Sequence, residues 1–448
     1  MNNNTVNIRE LVTEILLSID KGEEHSHILL KNVLDKYDYL PQADKNFIKR
    51  VVNGTLERRV TIDYIINHFS KTPVNKMKPF IRNLVRMSIY QIIYMDKVPD
   101  SAVCNEAVKL AGKRGFRGLQ GFVNGLLRGV ARGYKEVMET INSDSFMADD
   151  PVAAISISCS APELIVKSMV EDYGVDVTKK ALVASLDTKK IYVRIDQTLD
   201  ESQIKLITDE WDANNIRYTK GSLLPYAYGL EGADKLGRLE FFKSGAYTVQ
   251  DVSSMMVAEF SGIKAGDNIL DICAAPGGKS LHAANKLKAA EASYEGSPGL
   301  VISRDVSDYK VNLIEENIDR LQADNIDTEV WDAREYDQSM EEWADVVIAD
   351  VPCSGFGVIG RKPDIKYNLT AEGLDSLIDL QRQIIDNALK YVKKGGTLMF
   401  STCTMRKCEN DENRDYILSS GNFTLVREEQ LFITDETDGF YIARFTKN

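Results

Sequence analysis

The stretch Asp271-Ile272-Cys273-Ala274-Ala275-Pro276-Gly277-Gly278-Lys279-Ser280 decides how this chain folds. Apolar Ile269-Leu270 precedes an acid, a Pro-Gly-Gly turn follows, and an apolar run from Leu281 takes up helical spacing. The pattern reads as strand, tight turn, helix. Glycines let main chain approach a ligand closely, and the amides at a helix N-terminus suit polar or anionic groups. Gly-rich turns also occur for packing alone, so the neighbouring segments decide between the two uses.

The same order recurs downstream. Leu300-Val301-Ile302 leads to Asp305, Thr328-Glu329-Val330-Trp331 to Asp332, and Val346-Val347-Ile348-Ala349 to Asp350. Asp305 stands at about the spacing at which dinucleotide-type folds place a ribose-binding carboxylate. In open α/β sheets ligands bind outside the carboxyl ends of the strands, so Asp271, Asp305, Asp332 and Asp350 are expected to line one crevice. Cys353 follows the strand ending at Ala349, and Cys403 follows Thr397-Leu398-Met399-Phe400. Each lies in a polar turn at a strand end, which opens it to the same crevice. Cys104, Cys159 and Cys408 read as small buried hydrophobes, as does Cys273 despite its place in the Gly-rich turn.

These residues resemble the RNA cytosine-C5 methyltransferases that use S-adenosylmethionine. The family's cofactor turn looks like residues 271–280 and its Pro-Cys motif like Asp350-Val351-Pro352-Cys353-Ser354-Gly355 with Arg361-Lys362-Pro363-Asp364. Its nucleophile motif looks like Ser401-Thr402-Cys403-Thr404; Val249-Gln250-Asp251-Val252-Ser253-Ser254 and Asp438-Gly439-Phe440-Tyr441 resemble flanking family segments. Cytosine C5 is a poor nucleophile until a thiolate adds at C6, and the adduct must later be undone, which explains two thiols. The resemblance implies that Cys403 is the nucleophile, that Cys353 assists release, and that Asp350 stabilises the developing adduct. It also implies that Cys273, Ala274, Ala275, Pro276, Gly277, Gly278 and Lys279 shape the cofactor turn. Asp305 would hold the ribose, Asp332 would lie beside the adenine, and Asp350 would border both ligands. Lys279 would stand between cofactor and substrate, where its charge acts on a thiol or a phosphate. The residues alone leave the thiol roles open, because DNA-type cytosine methyltransferases use the Pro-Cys cysteine as nucleophile. Departures are modest: Val351, Tyr367 and Lys310 replace commoner residues, the connection Lys286 to Gly299 is long, and Lys407-Cys408 stands where Pro-Glu is common, ahead of retained Glu409-Asn410.

At 448 residues and 44% hydrophobic content the chain suits two or three packed domains. No apolar stretch is long enough to span a bilayer, and Met1-Asn2-Asn3-Asn4 lacks the basic and apolar regions of a signal peptide. Six cysteines form no disulfide framework, the four scattered histidines suggest no metal site, and working thiolates imply the reducing cytoplasm. The net charge of −12 is unevenly spread: Met1 to Lys135 holds 22 basic and 13 acidic residues, a net +9, which leaves −21 for the remainder. A basic module tied to an acidic one is the electrostatic footprint of phosphate binding.

The first 135 residues carry helical periodicity in Ile8 to Ile19, Phe47 to Phe69 and Phe80 to Tyr94. Asp44-Lys45-Asn46-Phe47, Val51-Val52-Asn53-Gly54, Asn105 to Ala111 and Phe122 to Arg128 resemble the NusB family of RNA-binding domains. That likeness makes Lys113, Arg114, Arg117 and Arg128 candidate RNA contacts. Polar Glu136 to Pro151 reads as a linker. Helices (Glu163 to Tyr173, Ser202 to Asn214) then alternate with strand-like Lys190 to Ile195 and Arg217 to Lys220, a small α+β domain in which Arg194 is a further candidate RNA contact.

The expected architecture is therefore multidomain: a NusB-like all-α bundle (1–138), a small α+β, RRM/ferredoxin-like domain (152–245), and a Rossmann-like α/β methyltransferase domain (246–448). The two resemblances together imply S-adenosylmethionine-dependent formation of 5-methylcytosine in 16S ribosomal RNA by a monomeric cytoplasmic enzyme. A purely RNA-binding factor needs neither cysteine. Enzymes that methylate exocyclic amines favour a polar-Pro-Pro-aromatic turn, which Asp350-Val351-Pro352-Cys353 is not.

Overall fold

The computed structural model describes residues 6–22, 25–187, 190–233 and 235–448; Met1-Asn2-Asn3-Asn4 lies outside them. The chain divides into two compact units: Met1–Leu186 with Ile359–Leu369, and Asp187–Val358 with Thr370–Asn448.

The first unit is helical. Its helices are α1 (Ile8–Asp20), α2 (Ser26–Lys36), α3 (Gln42–Glu57), α4 (Arg59–Phe69), α5 (Pro79–Tyr94), α6 (Asp100–Lys113), α7 (Gln120–Ile141), α8 (Asp144–Asp149), α9 (Pro151–Ser158) and α10 (Glu163–Ala184). Amphipathic spacing buries one stripe of each long helix: α7 turns Val123, Leu126, Leu127, Val130, Val137 and Ile141 inward. The stretch expected as a linker, 136–151, is instead helical, because Ser143 and Asp150 cap α8 and α9 through the amides of Phe146 and Ala153. α9 and α10 belong to this unit, so the boundary falls after Leu186 and not at residue 151.

The Ile359–Leu369 strap completes the unit. Asp364 accepts from the Ser26 amide (3.0 Å) and hydroxyl (2.6 Å) at the start of α2. Lys366 donates to the carbonyls of Glu57 (3.0 Å) and Ser160 (2.8 Å), and the Tyr367 hydroxyl donates to Leu56 O at 2.7 Å. Orphan groups at three helix ends are thereby satisfied by one short segment.

The second unit opens with β1 (Ile191–Ile195), α11 (Glu201–Ala213), β2 (Arg217–Lys220), β3 (Ala227–Glu231), α12 (Glu240–Lys243) and β4 (Tyr247–Val249). The sheet order β2-β3-β1-β4 is all antiparallel, the split βαβ arrangement expected of a ferredoxin-like domain. An Asp200–Gln203 capping box starts α11, and Trp211 and Tyr247 fill the core.

After α13 (Val252–Ser261) come β5 (Ile269–Asp271), α14 (Gly278–Ala290), β6 (Val301–Asp305), α15 (Asp308–Leu321), β7 (Ile326–Val330), β8 (Ala344–Asp350), α16 (Ala371–Tyr391), β9 (Val392–Thr402), α17 (Asp411–Ser419), β10 (Phe423–Leu431) and β11 (Phe440–Lys447). The strand order is β10-β11-β9-β8-β5-β6-β7, parallel from β9 to β7 with antiparallel β10 and β11 at one edge. The central parallel strands are buried on both faces, as expected when helices cover both sides of a sheet. The chain reverses direction across the sheet between β5 and β8, the switch point at which such folds open a ligand crevice.

Candidate active site

Parallel register brings the motifs together. β8 and β9 pair Asp350 with Ser401, so the turns that follow emerge side by side. Cys353 lies three residues past the end of β8 and Cys403 one past the end of β9, and their sulfurs stand 3.0 Å apart. The Cys403 amide donates to Cys353 Sγ at 3.2 Å. The Ser354 and Thr404 hydroxyls meet at 2.8 Å, and the Gly357 amide donates to Cys403 O at 3.1 Å.

β5 is the next strand, so Lys279 at the start of α14 reaches Asp350 at 2.6 Å. Asp350 also accepts from the Ser401 hydroxyl at 2.7 Å, and the Lys279 ammonium lies 5.3 Å from the Phe440 ring centre. Burial acts to lower the Lys279 pKa, but the charge and hydrogen bond of Asp350 outweigh it and hold the ammonium above its ordinary range. The Cys353 thiol is pushed well up, first by its hydrogen bond with Cys403, then by burial and by the charges of Cys403, Glu409 and Asp350. At neutral pH Cys353 is a thiol.

The Gly-rich turn is built for close approach. Gly277 adopts φ +96°, and a Cβ there would meet Ile314 at 3.1 Å. Above Gly278 the space is open, the nearest atom to a Cβ being Gln250 at 4.0 Å. Asp305 at the end of β6 accepts from the amides of Ala275 (2.9 Å) and Val306 (2.8 Å), and Lys310 reaches it at 3.0 Å. It therefore fixes the turn while its carboxylate borders the crevice. Asp332, just past β7, is bound by Arg334, which lowers its pKa. An open turn flanked by strand-end carboxylates fits the hydroxyl-rich adenosyl part of S-adenosylmethionine. The fourth acid departs from expectation: Asp271 is fully buried and accepts from the Ser280 hydroxyl at 2.6 Å, so it braces α14 behind the crevice and does not line it. Its carboxyl is pushed up to about 7 by burial.

The family described as 16S rRNA methyltransferase RsmB/F matches residues 262–446, and the NusB family matches residues 6–132. A probable ribosomal RNA small subunit methyltransferase B of Bacillus subtilis (strain 168) is 37% identical over 406 residues, covering 90% of this chain and 86% of that protein. The chain belongs to the ribosomal RNA small subunit methyltransferase B family. A Synechocystis relative of the same description is 27% identical over 464 residues, with 99% of this chain and 100% of its own length covered. Among solved structures PH0851 superposes with a TM-score of 0.78 at 19% identity over 99% of both chains. NSun6 from Pyrococcus horikoshii with SFG gives 0.56 at 20% identity, covering 64% of this chain and 98% of its own. These two likenesses concern the fold.

For a member of the methyltransferase B family, the structure brings together Cys403, Cys353, Asp350 and Lys279 beside the turn Cys273 to Gly278 and Asp305. It separates the candidate RNA residues into three kinds. Arg117 and Arg128 are exposed, with no ion pair among the described residues. Lys113 and Arg114 are exposed but paired with Glu10 and Glu14. Arg194 is 2% exposed and donates to Gln250 (2.8 Å) and Asn285 (3.4 Å), an interior residue without the surface an RNA contact needs. Among the described residues no cluster of three or more His, Cys, Asp or Glu side chains is placed to hold a metal, and no helix is long and apolar enough to cross a membrane.

Sequence reasoning missed the groups behind the thiols. Gln381 is fully buried and donates to Pro352 O and to Glu409, both at 2.9 Å. Its signal was a polar residue inside the apolar stripe Leu374, Ile384, Ile385, Ala388 of α16. The turn after Cys403, where Lys407-Cys408 departs from the common pattern, is held by Asn410, which bonds the Thr402 hydroxyl (2.6 Å) and Thr404 O (3.1 Å).

Proposed function

We propose that this member of the family methylates C5 of a cytosine in 16S ribosomal RNA through a covalent bond between Cys403 and C6, giving 5-methylcytosine and S-adenosylhomocysteine. The observation that carries the proposal is the pair of sulfurs 3.0 Å apart beside the Lys279–Asp350 pair. S-adenosylmethionine is the cofactor, and when bound it supplies an electrophilic methyl on a sulfonium.

Cys403 Sγ adds to C6, and the C5–C6 π electrons then give C5 enamine character. Asp350, held from both sides by Lys279 and Ser401, faces the cytosine edge and, as an acceptor, stabilises the N3-protonated form that develops as Cys403 adds as thiolate. After methylation the C5 proton passes to solvent, the C5–C6 double bond re-forms and the C6–S bond breaks. Cys353 remains a thiol beside the departing sulfur and assists release by hydrogen-bonding the leaving Cys403 thiolate, which recovers its proton from solvent. The target base must leave its stack to reach Cys403, which favours a loop or partly assembled RNA. Arg117 and Arg128 are the proposed phosphate contacts of the NusB-like unit, with Lys113 and Arg114 secondary. A monomer in the reducing cytoplasm suits two working thiols.

The test incubates Cys353→Ala and Cys403→Ala separately with S-adenosylmethionine and unmodified 16S RNA, followed by denaturing gels. A slow-migrating protein–RNA band for Cys353→Ala alone is expected. A band only for Cys403→Ala would exchange the thiol roles, and none in either would overturn the covalent route.

A further inference from the structure

Glu409 is a carboxylate with no solvent contact, six residues beyond the proposed nucleophile. Oε2 accepts from the Ser354 amide and from Gln381 Nε2, both at 2.9 Å. Oε1 accepts from Arg406 Nη1 at 2.9 Å. The same Gln381 amide donates to Pro352 O at 2.9 Å, and Asn413 fixes Gln381 Oε1 (2.8 Å) and Glu409 O (3.0 Å). Both peptide groups that flank Cys353 are thus tied to one buried acid, and that acid belongs to the turn that carries Cys403.

A buried charge is retained at a cost in desolvation unless its partners satisfy it, and three donors, one of them charged, do so here. The arrangement asks for a carboxylate in particular. Every partner of the two oxygens is a donor, so a glutamine would turn its own NH2 toward one of them and lose at least one bond.

We propose that Glu409 is a positioning residue of the methyl-transfer site, which through Ser354 and Gln381 sets where the Cys353 sulfur stands against Cys403. The inference rests on the assignment of Cys353 to release. Its charge acts on the same thiol, adding to the effects that keep Cys353 protonated. Glu409 touches neither base nor cofactor. Its removal slows the step that needs Cys353 and leaves binding of both substrates in place.

The experiment compares wild type and Glu409→Gln in steady-state methylation of 16S RNA and in denaturing gels without any cysteine change. A fall in kcat of tenfold or more is expected with kcat/KM for RNA within about twofold, so that KM falls along with kcat, as it does when a step after methyl transfer becomes limiting. The otherwise intact enzyme should also accumulate the covalent RNA adduct, because release is slowed. Independently, alkylation of Cys353 in a Cys403→Ser background should move to lower pH when Glu409→Gln is added. Gln381→Met, which keeps helix and volume but removes the donors to Pro352 and Glu409, should reproduce the kcat loss and adduct, and it carries the test if Glu409→Gln does not fold. Wild-type release together with an unmoved alkylation profile in a folded variant would overturn the inference. If Cys353→Ala forms no adduct but the alkylation profile moves, the assignment of the thiols fails while the positioning role of Glu409 stands.

Discussion

Asp350 is bound by an ammonium and a hydroxyl at once, and both partners would be misdirected by an amide. Asp350→Asn would turn an NH2 toward Lys279 or Ser401 and leave a mostly buried ammonium without its counter-charge. A fall in kcat of about 10² to 10³, the scale of losing one preorganised electrostatic group, is expected in single-turnover methylation, with the fold retained. Asp271 obeys different physics, because it is braced inside the sheet. Its carboxyl titrates near about 7 in the fold and near the ordinary 3.8 when unfolded. Between those values the folded chain binds more protons, so stability from this group is full below the lower value and is lost as pH rises through the upper one. Asp271→Asn removes that dependence. Trp211, Trp331 and Trp343, the three tryptophans, all lie in the second unit, so urea midpoints followed by their fluorescence at pH 5 and 8 report the difference. A wild-type midpoint that falls on going to pH 8 by no more than that of the Asn variant would refute the assignment.

At the scale of elements, the site depends on two backbones passing without side chains between them. A Cβ on Gly357 would stand 1.7 Å from the carbonyl oxygen of Gly439, whose amide in turn donates to Gly357 O at 3.0 Å. Gly357→Ala should therefore push the Pro-Cys turn away from the start of β11 and lower methylation at least tenfold, while circular dichroism of the helices stays near wild type. The strap makes the complementary case. Lys366→Met removes the donor that the carbonyls of Glu57 and Ser160 share in the helical unit, a loss of about 1–3 kcal/mol to be read from helical melting at 222 nm. Burial lowers the Lys366 pKa to about 8, so part of that loss is offset by removing a desolvated charge. These elements also mark what was legible in the chain. Strand-turn-helix order, the acids at the ends of β6 and β8 and the two half-buried cysteines at strand ends follow from local pattern, and the structure brings them together. The boundary at 151 was misplaced because a polar stretch reads as a linker, whereas Ser143 and Asp150 use that polarity to cap helices. Glu409 and Gln381 gain their importance only from contacts across the fold, which local pattern does not carry.

Across the whole molecule the charge is divided: a net +9 on the first 135 residues and −21 on the rest. The basic count overstates the surface available to RNA. Arg86 is 4% exposed and pairs with Asp20 and Asp63, and Arg59 and Arg82 also converge on Asp20. Those arginines hold helices together, and only cations without internal partners release counterions when phosphate binds. Affinity for RNA should thus track Arg117 and Arg128 more than the total charge of the unit. Arg117→Ala and Arg128→Ala are each expected to weaken binding across sequences and to reduce the slope of log K against log salt by about 0.7 to 1. Lys113→Ala should change that slope less, since Glu10 already neutralises it. Arg194→Ala should leave the slope intact and instead lower the stability of the second unit, because it strips buried Gln250 and half-buried Asn285 of a donor. Filter binding of 16S RNA between 50 and 200 mM salt, with a melting curve for each variant, separates these outcomes. A full-sized slope change for Arg194→Ala without destabilisation would mean that the interior arginine reaches RNA after all, and the division between structural and contact arginines would have to be redrawn.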